Sequence, residues 1–498
     1  MSNNDKALII QPGWLWDGVS GRASEDLAVL IRGGRFEKLG SPGELRAAAP
    51  GAELLKDDRW LLMPAFTDAH DHGRGITPSS MMVPDQALEV WLQDLNKLAP
   101  IPHFDACLFD ALRMAACGVG TVLHSHNPNS FSAMKDELAV AARGYAAGGL
   151  RSILCPLFID QNKKIYYGRD EFLASLPEPL RSSFGGSIRD RIMTIDEYFE
   201  LIEATAEELK DEIAAGWTEI QLHPNGGQWC SDESLMAMKE YAMKRGMHIH
   251  LHLLETKYQA EYARRTWGKS FIEHYAEIGF LGPWVSFGHA VWLTERDFGL
   301  IKESGAILVN NASSNLRLRS GSFDLRTAAR LDVTAGIGMD GCTIDDDQDF
   351  LREMRVAWLN DRESGVDAAV DPLFVLRMAT SKGAMISAGE LSPGVIAQGR
   401  NADLVCLNME KVAFPYADPD VDPLALTVQR ASRGCADLTL IGGRKTWGTE
   451  SCWQEKADDA AEKLRAVMLE LRARDDGRRD NAEILKRVRA YYRDSLKS

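Results

Sequence analysis

"MPAFTDAHDH" occupies Met63–His72, an apolar approach that stops on two histidines separated by one residue. In an extended chain, residues two apart point the same way, so His70 and His72 can reach one ion while Asp71 faces elsewhere. Alone the pair means little, because the strand period is its whole basis. Its weight comes from seven later apolar runs of the same design: "GVGTVLHSH", "RSILCPLFID", "TEIQLHPN", "MHIHLHLLE", "VSFGHAV", "AILVNNA" and "TAGIGMD". Nearly every run ends on His, Asn or Asp. Helical patterns such as "DELAVAARGYAAGG" and "DESLMAMKEYAMKRG" separate them. Eight strands alternating with helices predict an α/β fold, a (β/α)8 TIM-like barrel over residues 63–392. In such a barrel the C-terminal strand ends face one cup.

Outside that span the texture changes. Ala7–Leu62 and the stretches "GVIAQGRNADLVCLN" (Gly394–Asn408) and "ADLTLIGGRKTW" (Ala436–Trp447) read as short strands broken by Gly and Asp. They predict a small β-sandwich domain formed by both chain ends, residues 1–62 and 393–450. Residues 451–498 are charge-rich with helical spacing, interrupted near Asp475–Gly477, and predict a helical extension for packing or oligomerisation. Asp160–Arg191 is longer than an ordinary strand-to-helix connection and reads as a lid.

Composition narrows the class of partner. The 498 residues carry a formal net charge of −15, which disfavours nucleic acid and anionic membranes because both are bound through Lys and Arg. No apolar run approaches the ~18 residues of a membrane span. The N-terminus lacks the pattern of a secretion signal, and the eight cysteines are scattered without a C-x-x-C pair. These features predict a soluble, cytoplasmic homodimer or higher homo-oligomer with reduced thiols and a small-molecule substrate.

The chemistry lies in the strand ends. Of eleven histidines, only His103 and His274 lie plainly outside them. "MHIHLHLLET" puts His248, His250 and His252 on one face, and the three cannot all reach one ion at the mouth. His252, nearest the C-terminal end and followed by Glu255, is the natural ligand; His248 and His250 read as barrel-interior residues held by hydrogen bonds. His70, His72, His252 and Asp340 then offer three imidazoles and a carboxylate to one divalent ion, with a position left for water. The ion lowers the pKa of that water. Asp340 can take its proton, His289 can orient or stabilise it, and Glu255 can pass a proton to a substrate nitrogen.

With these residues in order, the chain resembles the amidohydrolase superfamily, in the branch of cytosine, guanine and S-adenosylhomocysteine deaminases and s-triazine chlorohydrolases. The resemblance covers roughly Ala7–Trp447 and rests on "MPAFTDAHDH", "HLLET", "GHAVWLTERDFGLIKESGAILVNNASSNLRLRSG" and "GMDG". It implies that His70, His72, His252 and Asp340 hold one zinc or iron, with Glu255 and His289 as proton shuttle and water-orienting group. His223, in "LHPNGGQWCSDESL", matches a position that often contacts substrate; a loop-fixing role is the alternative. Trp91 lies where this branch often has Trp, with a core-facing aromatic as the other reading. His124 and His126 stand where many relatives have Asp-His and read as groups behind the ligands or in the pocket. Ser314 and Asn315 read as structural. Met339 replaces a common Thr and Ala312 a common Pro. No lysine closes the fourth strand, which favours a single metal.

Three functions are weighed. The leading one is hydrolytic deamination of a purine, pyrimidine, pterin or triazine-like ring. The second releases an alkylamine or chloride, or opens a cyclic amide, with the same activated water. The third is a non-catalytic scaffold on the same fold, against which the intact ligand set argues.

Overall fold

The computed structural model describes residues 6–161, 164–186, 193–361, 365–367, 369–389, 391–474 and 481–496. Its centre is a ring of eight parallel strands, numbered β1 to β8 in chain order: Phe66–Asp71 (β1), Val119–Ser125 (β2), Arg151–Cys155 (β3), Thr218–Ile220 (β4), Ile249–Leu253 (β5), Val285–His289 (β6), Ile307–Asn310 (β7) and Ala335–Ile337 (β8). The hydrogen-bonded order runs β5-β6-β7-β8-β1-β2-β3-β4. A parallel bridge from Leu222 to Ile249 returns the chain beyond β4 to β5, so the eight strands form the expected barrel. All residues of β1, β2 and β3 are buried, as strands covered on both faces require.

Register sets the level of each strand end. His252 pairs with Gly288 and Leu253 with His289 across β5 and β6, so the two imidazoles leave the barrel at nearly one height. Asp71 pairs with His124 across β1 and β2. The helices between strands end cleanly: Ser231 caps Asp232–Arg245 at its start, and Gly246, at φ 66°, stops it.

The two chain ends meet in one seven-stranded sheet. Its order is Arg444–Gly448, Ala436–Ile441, Leu404–Asn408, Glu53–Pro64, Leu8–Leu15, Ala28–Arg32, Arg35–Gly40. The C-terminal and N-terminal parts join where Leu404–Asn408 runs antiparallel to Trp60–Pro64. Ile10, Val29, Ile31, Leu62, Leu404 and Leu440 pack on this sheet. A buried ion pair fixes it to the barrel: Arg151 at the start of β3 donates from Nε to Asp403 Oδ2 at 2.9 Å.

Two helices follow the sheet. Ser451–Arg474 packs on helix His103–Ala115, and Ala482–Ser495 packs on helix Leu88–Asp94. The interruption expected near Asp475–Gly477 lies outside the described residues. Of the expected lid, residues 162–163 and 187–191 also lie outside them; the rest holds helices Arg169–Ser175 and Leu180–Gly186. Ile165, Tyr166 and Tyr167 are buried, and the Tyr166 backbone N–H donates to Tyr492 Oη on the last helix at 3.0 Å. All eight cysteines are free thiols, seven of them buried and Cys452 exposed. Among the described residues no helix is long and apolar enough to cross a membrane.

Candidate active site

The strand ends place a cluster of imidazoles around one carboxylate. His70 Nε2 and His72 Nε2 each lie 3.1 Å from Asp340 Oδ1, and His289 Nε2 lies 3.9 Å from Asp340 Oδ2. One nitrogen or oxygen from each of His70, His252, His289 and Asp340 falls within 4.8 Å of the others. The sequence reading had His72 rather than His289 in this set. His72 joins through its contact with Asp340 and stacks parallel to His252, with ring centroids 5.5 Å apart.

The hydrogen bonds behind the rings decide which nitrogen faces inward. His72 Nδ1 donates to the Ser125 carbonyl at 2.7 Å, and His252 Nδ1 donates to the Asn225 carbonyl at 2.6 Å. Each therefore carries its proton on Nδ1 when neutral, which leaves Nε2 as a bare acceptor. His70 Nδ1 shares a proton with His250 Nε2 at 2.7 Å, and His250 Nδ1 meets Ser286 Oγ at 2.7 Å. Burial pushes the His70 imidazole down to about 4 and that of His252 well below its usual range. Burial alone would raise Asp340, but its contacts with His70 and His72 hold it well below the usual carboxylate range. Nitrogens of His70, His252 and His289 and an oxygen of Asp340 converge within 4.8 Å, with His72 Nε2 3.1 Å from that carboxylate, and such a donor set fits a divalent cation.

Glu255 and His289 stand beside this centre. Glu255 Oε2 lies 3.6 Å from His289 Nε2, and Ser320 Oγ donates to Glu255 Oε1 at 3.2 Å. Burial, with the Asp340 charge adding to it, pushes the Glu255 carboxyl up to about 7, so it can hold or release a proton near neutrality. His289 Nδ1 is fixed by Asn315 Oδ1 at 2.9 Å, and the Ser314 hydroxyl donates to Asp340. The backbone is strained here: His289, Ala290, Leu254 and Asp340 have φ of 70°, 49°, 50° and 58°, a conformation that costs about 1 kcal/mol or more per non-glycine residue.

A cavity of about 350 Å³ opens above these groups, lined by His72, His252, Glu255, His289 and Asp340 at its floor. Trp91, Leu88, Leu318 and Trp229 form apolar walls. A larger cleft of about 640 Å³, beside Trp217 and Tyr241 at the start of β3 and β4, holds none of the strand-end groups, so chemistry rather than size identifies the site. Trp91 lines the cavity and at the same time packs with Val83, Leu88 and Leu318 in a buried cluster. His223 and His126, also expected at the substrate, are not among the lining residues. Both His223 nitrogens are engaged, Nδ1 by the His250 carbonyl at 2.6 Å and Nε2 by Ser125 Oγ at 2.7 Å. His126 turns towards Glu137, with Nε2 3.2 Å from Oε2, while His124 bridges it to Tyr145. His103, set aside in the sequence, joins them 3.4 Å from Glu137.

Sequence reasoning missed two groups. Asp71 accepts the backbone N–H of Gly73 at 2.7 Å and of Gly341 at 2.8 Å, and so clamps the residue after Asp340. Arg74 is 6% exposed and lines the cavity. The signal was its place two residues after His72, behind a glycine.

The amidohydrolase family model matches residues 61–446. A 5'-deoxyadenosine deaminase from Methanopyrus kandleri is 25% identical over 89% of this chain and 96% of its own. The zinc-bound structure of an adenosine deaminase from Xanthomonas campestris has a TM-score of 0.73 at 22% identity, covering 93% of this chain and 99% of that one. A mutant atrazine chlorohydrolase from Arthrobacter aurescens, complexed with zinc and atraton, has a TM-score of 0.74 at 17% identity, covering 92% and 100%. With a match that takes in the whole barrel and the strands Leu404–Asn408 and Ala436–Ile441 after it, the chain belongs to the amidohydrolase family.

Proposed function

We propose that this chain is a metal-dependent aminohydrolase that exchanges the amino group of a nitrogen heterocycle for oxygen from water and releases ammonia. The observation that carries the reading is the placement of Glu255, a buried carboxyl 3.6 Å from His289 that lines the same cavity as His72, His252 and Asp340. His70, His72, His252 and Asp340 would hold one zinc or iron ion. When bound, such an ion supplies the positive charge that brings the pKa of water towards neutrality.

The rest falls to side chains. Asp340 accepts a proton from the attacking water, and His289, fixed by Asn315, orients that water. Glu255 delivers a proton to the departing nitrogen, so ammonia rather than amide leaves. Trp91 offers a face for the ring, and Leu88 and Leu318 keep bulk water from the floor. The deoxyadenosine deaminase relative supports an adenine-like ring as the first class to try. The reading also takes the protein as a cytoplasmic homo-oligomer, with the terminal sheet as a β-sandwich domain of residues 1–62 and 393–450 and the residues from 451 as a separate extension.

The test is ammonia release from a panel of amino-purines, pyrimidines, pterins and triazines by the zinc- or iron-loaded protein. Activity lost in Glu255→Ala and Asp340→Ala supports the reading. Release of an alkylamine or chloride, but never ammonia, would defeat it.

A further inference from the structure

Gly73, at φ 58°, turns the chain sharply after His72, and an added Cβ there would lie 2.4 Å from Tyr145 Oη and 2.7 Å from the His124 ring. Only glycine fits, and the turn carries Arg74 onto the cavity wall. Arg74 is 6% exposed, and among the described residues its guanidinium makes one side-chain hydrogen bond, from Nη2 to Asn127 Oδ1 at 2.6 Å. Its Cζ lies 5.5 Å from the Trp91 ring centroid. Among the described residues no carboxylate lies within ion-pair distance of it.

A guanidinium has five N–H donors in a planar fork; the Asp340 and Asp71 charges oppose the cost of burying Arg74, but neither carboxylate is within ion-pair distance, so most of the fork's donors are left unmatched. Such a group is retained where a partner arrives later. Arg74, Asn127 and Trp91 all line the cavity that holds Glu255 and Asp340, so the partner is whatever enters that cavity. Asn127 holds one arm of the fork and Trp91 backs it, which presets the remaining donors for a planar pair of oxygens.

We propose that Arg74, positioned by Asn127 and Trp91, is the anion-recognition group of this site and that the substrate is an amino-heterocycle carrying a carboxylate. The same fork could instead take the deprotonated oxo edge of a ring, and the test separates the two. The proposal rests on the deamination reading for the identity of the ring, not for the anion.

The experiment uses matched pairs: amino-heterocycles with and without a carboxylate, and ring-oxo analogues without one, offered to the metal-loaded full chain. Ammonia release gives kcat/KM, and calorimetry gives binding whether or not turnover occurs. The carboxylate members are expected to be favoured by about tenfold or more, the worth of one hydrogen bond to a charged group. In Arg74→Met the ratio of kcat/KM between carboxylate and neutral members of each pair should fall to about one, whatever the change in absolute rate, and Arg74→Lys should restore part of that ratio, since lysine keeps charge but not the fork. Preference for ring-oxo members over carboxylates would transfer the role to the ring edge and overturn the carboxylate assignment. Equal binding of charged and neutral members by wild type would overturn the proposal without any variant. Carboxylate binding lost in Arg74→Met, with no ammonia from any ring, would remove the deamination reading and leave this one standing.

Discussion

Asp71→Asn isolates one mechanical link in the site. The carboxylate spends one oxygen on the Gly73 N–H and the other on the Gly341 N–H, at 2.7 and 2.8 Å, in a fully buried position. Asparagine has almost the same shape but only one oxygen, so one backbone N–H is left facing an NH2 group. Leaving a buried donor unmatched costs about 1–3 kcal/mol. The loss falls on the turn at Asp340 and Gly341, where the left-handed φ of 58° at Asp340 is the strained one and needs outside support. Most of it should therefore appear as a weaker hold on Asp340, the proposed ligand carboxylate, and so as a fall in zinc affinity of about tenfold to a hundredfold. Competition for zinc against a chromophoric chelator measures this, with circular dichroism as the check that the fold persists. A folded variant that binds zinc within about twofold of wild type would refute the clamp.

Glu255→Gln should keep the metal, by elemental analysis, while kcat for ammonia release falls by about 10²–10⁴, the usual scale of a lost proton shuttle; retained kcat removes Glu255 from that role. Gly73→Ala should destabilise the fold by about 2–4 kcal/mol in chemical denaturation, adding a left-handed penalty to an overpacked site, and a neutral result would mean that the Tyr145 and His124 neighbours yield freely. Asp403→Ala strands the buried Arg151 guanidinium and should cost about 3–5 kcal/mol, read by the same method. Glu89 supplies the pH dependence: burial pushes its carboxyl up from 4.5 to about 7, and Oε2 has no hydrogen-bond partner. The native state thus keeps a proton that the unfolded chain releases, so this contribution is complete below pH 4.5 and is lost as pH rises through about 7. Glu89→Gln should accordingly stabilise the protein at pH 8 and change little at pH 4, and the opposite order would sink the assignment.

The parts of the site written along single strands were legible. Two-residue spacing announced His70 and His72, and nearly every barrel run carried a polar group at or just beyond its end, because a strand facing a polar cup changes character where it leaves the core. His289 was legible as a polar strand end beside Glu255 but not as a member of the tight group, since its approach depends on a left-handed backbone at its own position. The His103–His126–Glu137 cluster draws on a helix start, a strand end and a second helix, and no local period connects them. Asp71 was left without a role for the same reason: its partner Gly341 lies 270 positions away. His223 and His126 meet Ser125, the His250 carbonyl and Glu137 instead of lining the cavity, because polarity at a strand end reports access to the cup and not which neighbour the ring finally meets.

The last helix gives the cavity a history as well as a wall. Helix Leu88–Asp94 carries Trp91 and Leu88, and it is backed by Ala482–Ser495. Asn481 reaches the Gln93 carbonyl across 388 positions of chain. At ribosomal speeds of about 5–20 residues per second, that backing arrives roughly 20–80 s after the wall it supports. During that interval the nascent chain carries an unfinished chamber with its apolar side open, and ribosome-stalled chains of increasing length would record the moment at which the chamber becomes whole.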